Sequence, residues 1–179
     1  MSANTNMRSK SIRPAPSEIQ HKNMSFLITD RPTDSTMQAY VEELKKHEVH
    51  DVVRVCEPTY KTDELKNGGI TVTDLVFDDG TFPPNEVVEE WLQLLRECHR
   101  KEPGRTVAVH CVAGLGRAPV LVAIALIELG MRYEDAVELI RELVSSITCG
   151  TVSVKLQRTV PFSSLFWAEI PLYSMTSLN

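Results

Sequence analysis

No charge of one sign dominates this sequence. Nineteen Lys and Arg stand against 24 Asp and Glu, a formal net charge of −5. There is no global basic field to draw the chain to nucleic acid or to an anionic membrane, so a phosphate site would need a local positive potential. Long apolar runs are also missing, and none approaches the roughly 20 residues a helix needs to cross a bilayer. Met1–Arg13 is polar and lacks the apolar centre of a secretory signal. Cysteine is sparse: Cys56, Cys98, Cys111 and Cys149 are the only four in 179 residues, and no two form a Cys-x-x-Cys pair. That argues against a zinc ribbon. The low density argues against a secreted disulfide framework, and the default setting is a reducing cytoplasm. The histidines show no ligand spacing, so neither a metal nor a cofactor is expected.

What remains is an ordinary globular balance, 42% hydrophobic and 24% charged, in a length suited to one domain. Residues 1–24 are rich in Ser, Asn and Pro and read as a flexible lead-in. A domain is expected over 25–143. Phe26–Ile28 is a strand candidate. Thr33 or Asp34 can cap a helix running to His47, with Met37, Tyr40, Val41 and Leu44 on one face. Val52–Cys56 and Ile70–Leu75 read as strands, and Gly68-Gly69 as a turn. Asp78-Asp79-Gly80 and Pro83-Pro84 mark a loop. After it, Asn85 can cap a helix whose apolar face is Val87, Val88, Trp91, Leu92 and Leu95. Thr106–Val109 is a strand. Val120–Leu129 is apolar all round and reads as a buried helix, stopped by Gly130. Tyr133–Leu143 is amphipathic, with Ala136, Val137, Ile140 and Leu143 inward. Strands alternating with helices predict an α/β fold, a central and mainly parallel sheet flanked by helices.

The strand at 106–109 runs into His110-Cys111-Val112-Ala113-Gly114-Leu115-Gly116-Arg117. A Cys and an Arg at this spacing arise by chance roughly one time in five in such a chain. The context is far more specific: a strand enters, two glycines lie inside, and a helix with Pro119 in its first turn leaves. A short loop at a helix N-terminus turns the backbone N–H groups of residues 112–117 inward, an anion nest backed by the helix dipole. Gly114 and Gly116 can supply left-handed angles and a close approach to a ligand. Arg117 can grip two phosphate oxygens through its planar fork. The field of such a nest favours the thiolate of a cysteine at Cys111, with His110 fixing the loop by hydrogen bonds. The chemistry implied is attack of Cys111 on a phosphate monoester, a phosphocysteine, and its hydrolysis by water. The leaving oxygen needs a proton, and Asp79 is the candidate donor. Asp78 and Asp79 are equally readable as turn residues before Gly80. Cys98 reads as a small buried hydrophobe. Cys56 reads as core unless the sheet brings it beside Cys111. Trp91 reads as core, and His21, His47, His50 and His99 as surface or boundary residues.

The stretch from His110 to Ala123 resembles the loop of the phosphatase of regenerating liver family, also called protein tyrosine phosphatase type IVA, a group of dual-specificity phosphatase-like enzymes. Arg13–Pro16, Lys22–Met24, Phe26–Thr29, Val53–Glu57, Phe77–Gly80 and Tyr133–Val137 are similar too. Together they extend the resemblance over Arg13–Arg141. Ala118 is especially specific, since most relatives with this loop carry Ser or Thr there. The resemblance implies Cys111 as nucleophile, Arg117 as phosphate binder and Asp79 as general acid. It implies Cys56 as the partner of Cys111 in a reversible disulfide. Lacking a hydroxyl, Ala118 implies slow breakdown of the phosphocysteine. The implied substrate is a phosphorylated protein or phospholipid. The family also binds magnesium-transport mediators of the cyclin M type at this site, which gives an alternative reading as a pseudophosphatase-like binding module.

Two departures stand out. Leu75-Val76 occupy the place of the family's usual Trp-Pro before Phe77. From Val144 to Asn179 both the helical period and the resemblance stop, and the segment reads as an atypical tail, one an alternative exon or a frameshift would produce. Val152, Val154 and Leu156 alternate as in one strand. The ending Thr176-Ser177-Leu178-Asn179 has no prenylatable Cys, so membrane anchoring is not expected of this chain. Loss of the family's final helix would expose apolar surface on the 120–129 and 133–143 helices, the mark of a poorly folded product.

Overall fold

A computed structural model describes residues 16–147. The tail strand expected at Val152–Leu156, Cys149 and the C-terminal residues lie outside the described range. The sheet has five strands in the order β1-β2-β5-β3-β4: β1 Ser17–His21, β2 Met24–Thr29, β3 Val49–Arg54, β4 Thr71–Asp74 and β5 Thr106–His110. Four strands run parallel, and only β1 is antiparallel to its neighbour. Helices α1 Met37–Lys46 and α2 Asp63–Asn67 belong to one side, and α3 Asn85–Lys101, α4 Arg117–Glu128 and α5 Tyr133–Ile147 to the other.

Side-chain alternation along the central strands sorts the core into two layers. Phe26, Ile28, Val53, Val107 and Val109 join the α3–α5 side. Leu27, Val52 and Ala108 join Tyr40, Leu44 and Leu65 on the α1–α2 side. Both faces are covered, which explains why these strands read as unbroken apolar runs. Trp91 is fully buried and its indole Nε1 donates to the Leu121 carbonyl at 2.8 Å, tying α3 to α4. Ala136, Val137 and Ile140 are buried and Leu143 is partly so, as the period of α5 requires.

Several boundaries differ from the sequence reading. Ser17–His21, placed there in a flexible lead-in, is an ordered edge strand. It pairs with β2 across the tight turn at Lys22-Asn23, where Lys22 has φ 51°. Its alternation was hard to see because Ile19 alone is buried in it. Strand β3 begins at Val49 and ends at Arg54, so Cys56 lies past its end. The five-residue α2 was unforeseen, and Leu65 is its one buried side chain. Pro84, not Asn85, holds the N-cap position of α3. Exposed apolar faces on α4 and α5 were also expected. Instead Ala118–Leu126 is buried, and among the described residues Val112 is the one large apolar side chain exposed.

Candidate active site

In a sheet with parallel strands, the carboxyl ends of the strands open toward one edge, and ligands bind there. Thr29 and Arg54 are the register partners of His110 on the two neighbouring strands, so β2, β5 and β3 all end at one level. The Cys111 loop leaves β5 at that level and closes onto the N-terminus of α4, whose first residue is Arg117. Cys111 is almost fully buried at the loop's base, while Val112 is 49% exposed. The loop is fastened sideways by the Arg31 N–H, which donates to the Val112 carbonyl at 3.2 Å. Gly114 has φ +71°, and a Cβ there would lie 2.7 Å from the Thr29 carbonyl oxygen. Only glycine fits both conditions. Gly116 is different from expectation: its φ is −120°, so it supplies no left-handed turn. A Cβ there would stand 3.3 Å from Asp79 Oδ1, and this glycine instead makes room for the acid.

Arg117 and Asp79 meet across 38 residues of sequence. The Arg117 side chain is only 11% exposed and its Nη1 donates to the Phe77 carbonyl at 3.1 Å. Its Nε lies 3.6 Å from Asp79 Oδ1, too far for a hydrogen bond, and this buried N–H has no acceptor among the described residues. A buried guanidinium N–H without a partner is costly, and a phosphate oxygen would satisfy it. Asp79 is 77% exposed, free to face an incoming ligand. It also caps its own turn, accepting from the Gly80 N–H at 3.2 Å. The turn reading of Asp79 is thus seen directly, and that turn sets the carboxylate beside Arg117.

Cys56 follows β3 and is buried in the same cluster as Cys111. The Val55 N–H donates to the His110 carbonyl at 3.0 Å, which keeps the two chain segments side by side beyond the ends of their strands. Burial pushes the Cys56 thiol up, while the Arg117 guanidinium pulls it down and a Cys111 thiolate pushes it up further. The fold thus brings together the two cysteines that the resemblance pairs; both are free thiols. Cys98 is the buried hydrophobe expected, its thiol pushed up to about 12 mainly by burial.

His110 is fully buried, and burial pushes its pKa from the ordinary 6.5 down to about 4. Its Nδ1 lies 3.2 Å from the Cys111 carbonyl oxygen and its Nε2 2.6 Å from the Tyr60 hydroxyl. The Tyr40 and Tyr60 rings pack around it, with centroids at 6.3 and 5.6 Å. Sequence reasoning missed Tyr60, Arg54 and Asp74, which support this histidine. They are too far from it along the chain for any local pattern to reveal them.

The chain is similar to known proteins along most of its length. The family model described as "Polymorphic toxin system, DSP-PTPase phosphatase" matches residues 10–131. The PRL-1 phosphatase of Drosophila melanogaster is 63% identical over 136 residues, 76% of this chain and 77% of that protein. The human protein tyrosine phosphatase type IVA 3 is 58% identical over 130 residues, 73% of this chain and 75% of that protein. The chain belongs to the protein tyrosine phosphatase type IVA family. A solved structure from Leishmania major, described as a protein tyrosine phosphatase, superposes with a TM-score of 0.62 at 44% identity, over 68% of this chain and 78% of that one. Like its type IVA relatives, the chain is a cysteine-based phosphatase with phosphorylated substrates, and the reading as a binding module alone is not favoured. No helix among the described residues is long and apolar enough to cross a membrane.

Proposed function

We propose that the chain hydrolyses phosphate monoesters of the phosphotyrosine type through a phosphocysteine on Cys111, with slow turnover. The N–H groups of Val112, Ala113, Gly114, Leu115 and Gly116, with Arg117, hold the phosphate dianion. The Cys111 thiolate attacks phosphorus and the ester P–O bond breaks. Asp79, in its acid form, gives its proton to the leaving oxygen. Water then attacks phosphorus, the P–S bond breaks, and phosphate leaves. Ala118 offers no hydroxyl to the departing thiolate, so the second step is the slow one.

The observation that carries this reading is the Arg117 guanidinium, anchored on the Phe77 carbonyl with its buried Nε unpartnered and Asp79 alongside. Asp79→Ala is expected to slow phosphocysteine formation on a phosphotyrosine peptide about 100-fold or more. Equal rates for Asp79→Ala and wild type would refute the acid assignment.

Cys56 is proposed to close a reversible disulfide with Cys111 under oxidation, two thiols giving up two electrons and two protons to a peroxide. Support comes from the shared burial of the two thiols and the effect of Cys111 on the Cys56 thiol. The substrate is proposed to be a phosphorylated protein or phospholipid. A cyclin M-type magnesium-transport mediator is proposed to dock on the same loop, where Val112 and Ala113 are exposed. The proposed location is the cytoplasm, in keeping with thiols left free at Cys56, Cys98 and Cys111.

A further inference from the structure

Asp74 sits on the sheet's edge strand with 47% of its side chain exposed, yet it commits both oxygens to one guanidinium. Arg54 Nε donates to its Oδ1, and Arg54 Nη2 donates to its Oδ2 at 2.9 Å. The Arg54 side chain is only 5% exposed. Its remaining nitrogen, Nη1, donates to the Tyr60 carbonyl at 3.2 Å, and its Cζ lies 4.7 Å from the Tyr60 ring centroid. Arg54 therefore grips Tyr60 by both backbone and ring. Tyr60 in turn reaches His110, and His110 reaches the carbonyl of the nucleophile itself.

The direction of these bonds can be assigned. His110 is neutral at pH 7, because burial holds its pKa near 4. The Cys111 carbonyl can only accept, so Nδ1 carries the proton and Nε2 is the acceptor. Tyr60 must then be the donor, a role that burial protects by pushing its phenol up to about 12.

We infer that Asp74 is a positioning residue for the catalytic loop, acting through Arg54, Tyr60 and His110 on the Cys111 carbonyl. A plain structural clamp between β3 and β4 is the competing role, since Arg54 and Asp74 are register partners in that pair. The inference rests on Cys111 being the nucleophile, and its test separates the two.

The first measurement is the ¹⁵N spectrum of His110 in the full chain, with no substrate present. A protonated Nδ1 and a bare Nε2 are expected, and a proton on Nε2 overturns the relay. In Asp74→Asn the Nε2 resonance is expected to move, and the Cys111-dependent burst to slow roughly tenfold, the scale of losing a supporting partner, with KM little changed. Asp74→Glu should restore most of that rate. In a Tyr60→Phe background, which is itself slower, adding Asp74→Asn should slow the burst no further, although it still lowers the melting temperature. An equal slowing in both backgrounds, or an unchanged burst in folded Asp74→Asn, overturns the inference in favour of the clamp. If wild type itself shows no Cys111-dependent burst, the assignment of the nucleophile fails, and the His110 spectrum still decides the relay.

Discussion

At the residue scale, the site divides into what one contiguous segment carries and what the fold assembles. The Cys111 loop was legible because strand, glycines, Arg117 and helix start follow one another in the chain. Asp79 was a candidate from the residues themselves and Cys56 from the resemblance; the structure sets Asp79 beside Arg117 and buries Cys56 in one cluster with Cys111. Tyr60 and Asp74 were not legible: Tyr60 meets His110 from 50 residues away and Asp74 meets Arg54 from 20. The two loop glycines are expected to fail differently. Gly114→Ala would force a side chain into a left-handed angle and against the Thr29 carbonyl, costing about 1–3 kcal/mol and distorting the nest. Urea unfolding and burst amplitude should both drop. Gly116→Ala meets only the end of Asp79, so stability should hold while the proton-transfer step slows. Ala118→Ser should raise the steady-state rate and shrink the burst, since a hydroxyl there would assist P–S cleavage. An unchanged ratio of burst to steady rate would count against slow dephosphorylation.

At the element scale, legibility followed the number of buried side chains. Helices α1, α3 and α5 each turn several large apolar residues inward with a period that was plain in the sequence, and α4 was legible as a run apolar all round. Strand β1 and helix α2 each bury one, Ile19 and Leu65, and so left no pattern to read. Trp91 joins α3 to the underside of the catalytic helix, through full burial and its bond to Leu121. Trp91→Ala should cost about 3–5 kcal/mol by chemical denaturation, the range for removing a large buried aromatic. Because α4 carries Arg117 at its start, activity should fall at a lower urea concentration in step with the fold.

At the scale of the whole molecule, the burial that holds His110 neutral makes stability depend on pH. Its pKa is near 4 in the folded chain and near 6.5 when unfolded. Above pH 6.5 both states leave it neutral, and the native state keeps its full advantage. As pH falls from 6.5 toward 4, the unfolded chain takes up a proton that the folded one refuses, and stability is lost. The shift corresponds to about 3 kcal/mol over that window. Denaturation at a series of pH values should show the fall, and His110→Gln should flatten it. A wild-type slope no steeper than that of His110→Gln would show that the histidine is not held neutral.

The central claim is that Cys111 carries the phosphoryl group between the two halves of the reaction. Acid quenching of the full chain within one turnover of a phosphotyrosine peptide, followed by peptide mass mapping, tests it directly. One phosphoryl group on the peptide containing Cys111, absent from Cys111→Ser, is the expected result. Peptide turnover with no phosphoryl group on Cys111 at any time point, or turnover that survives Cys111→Ser, would contradict it.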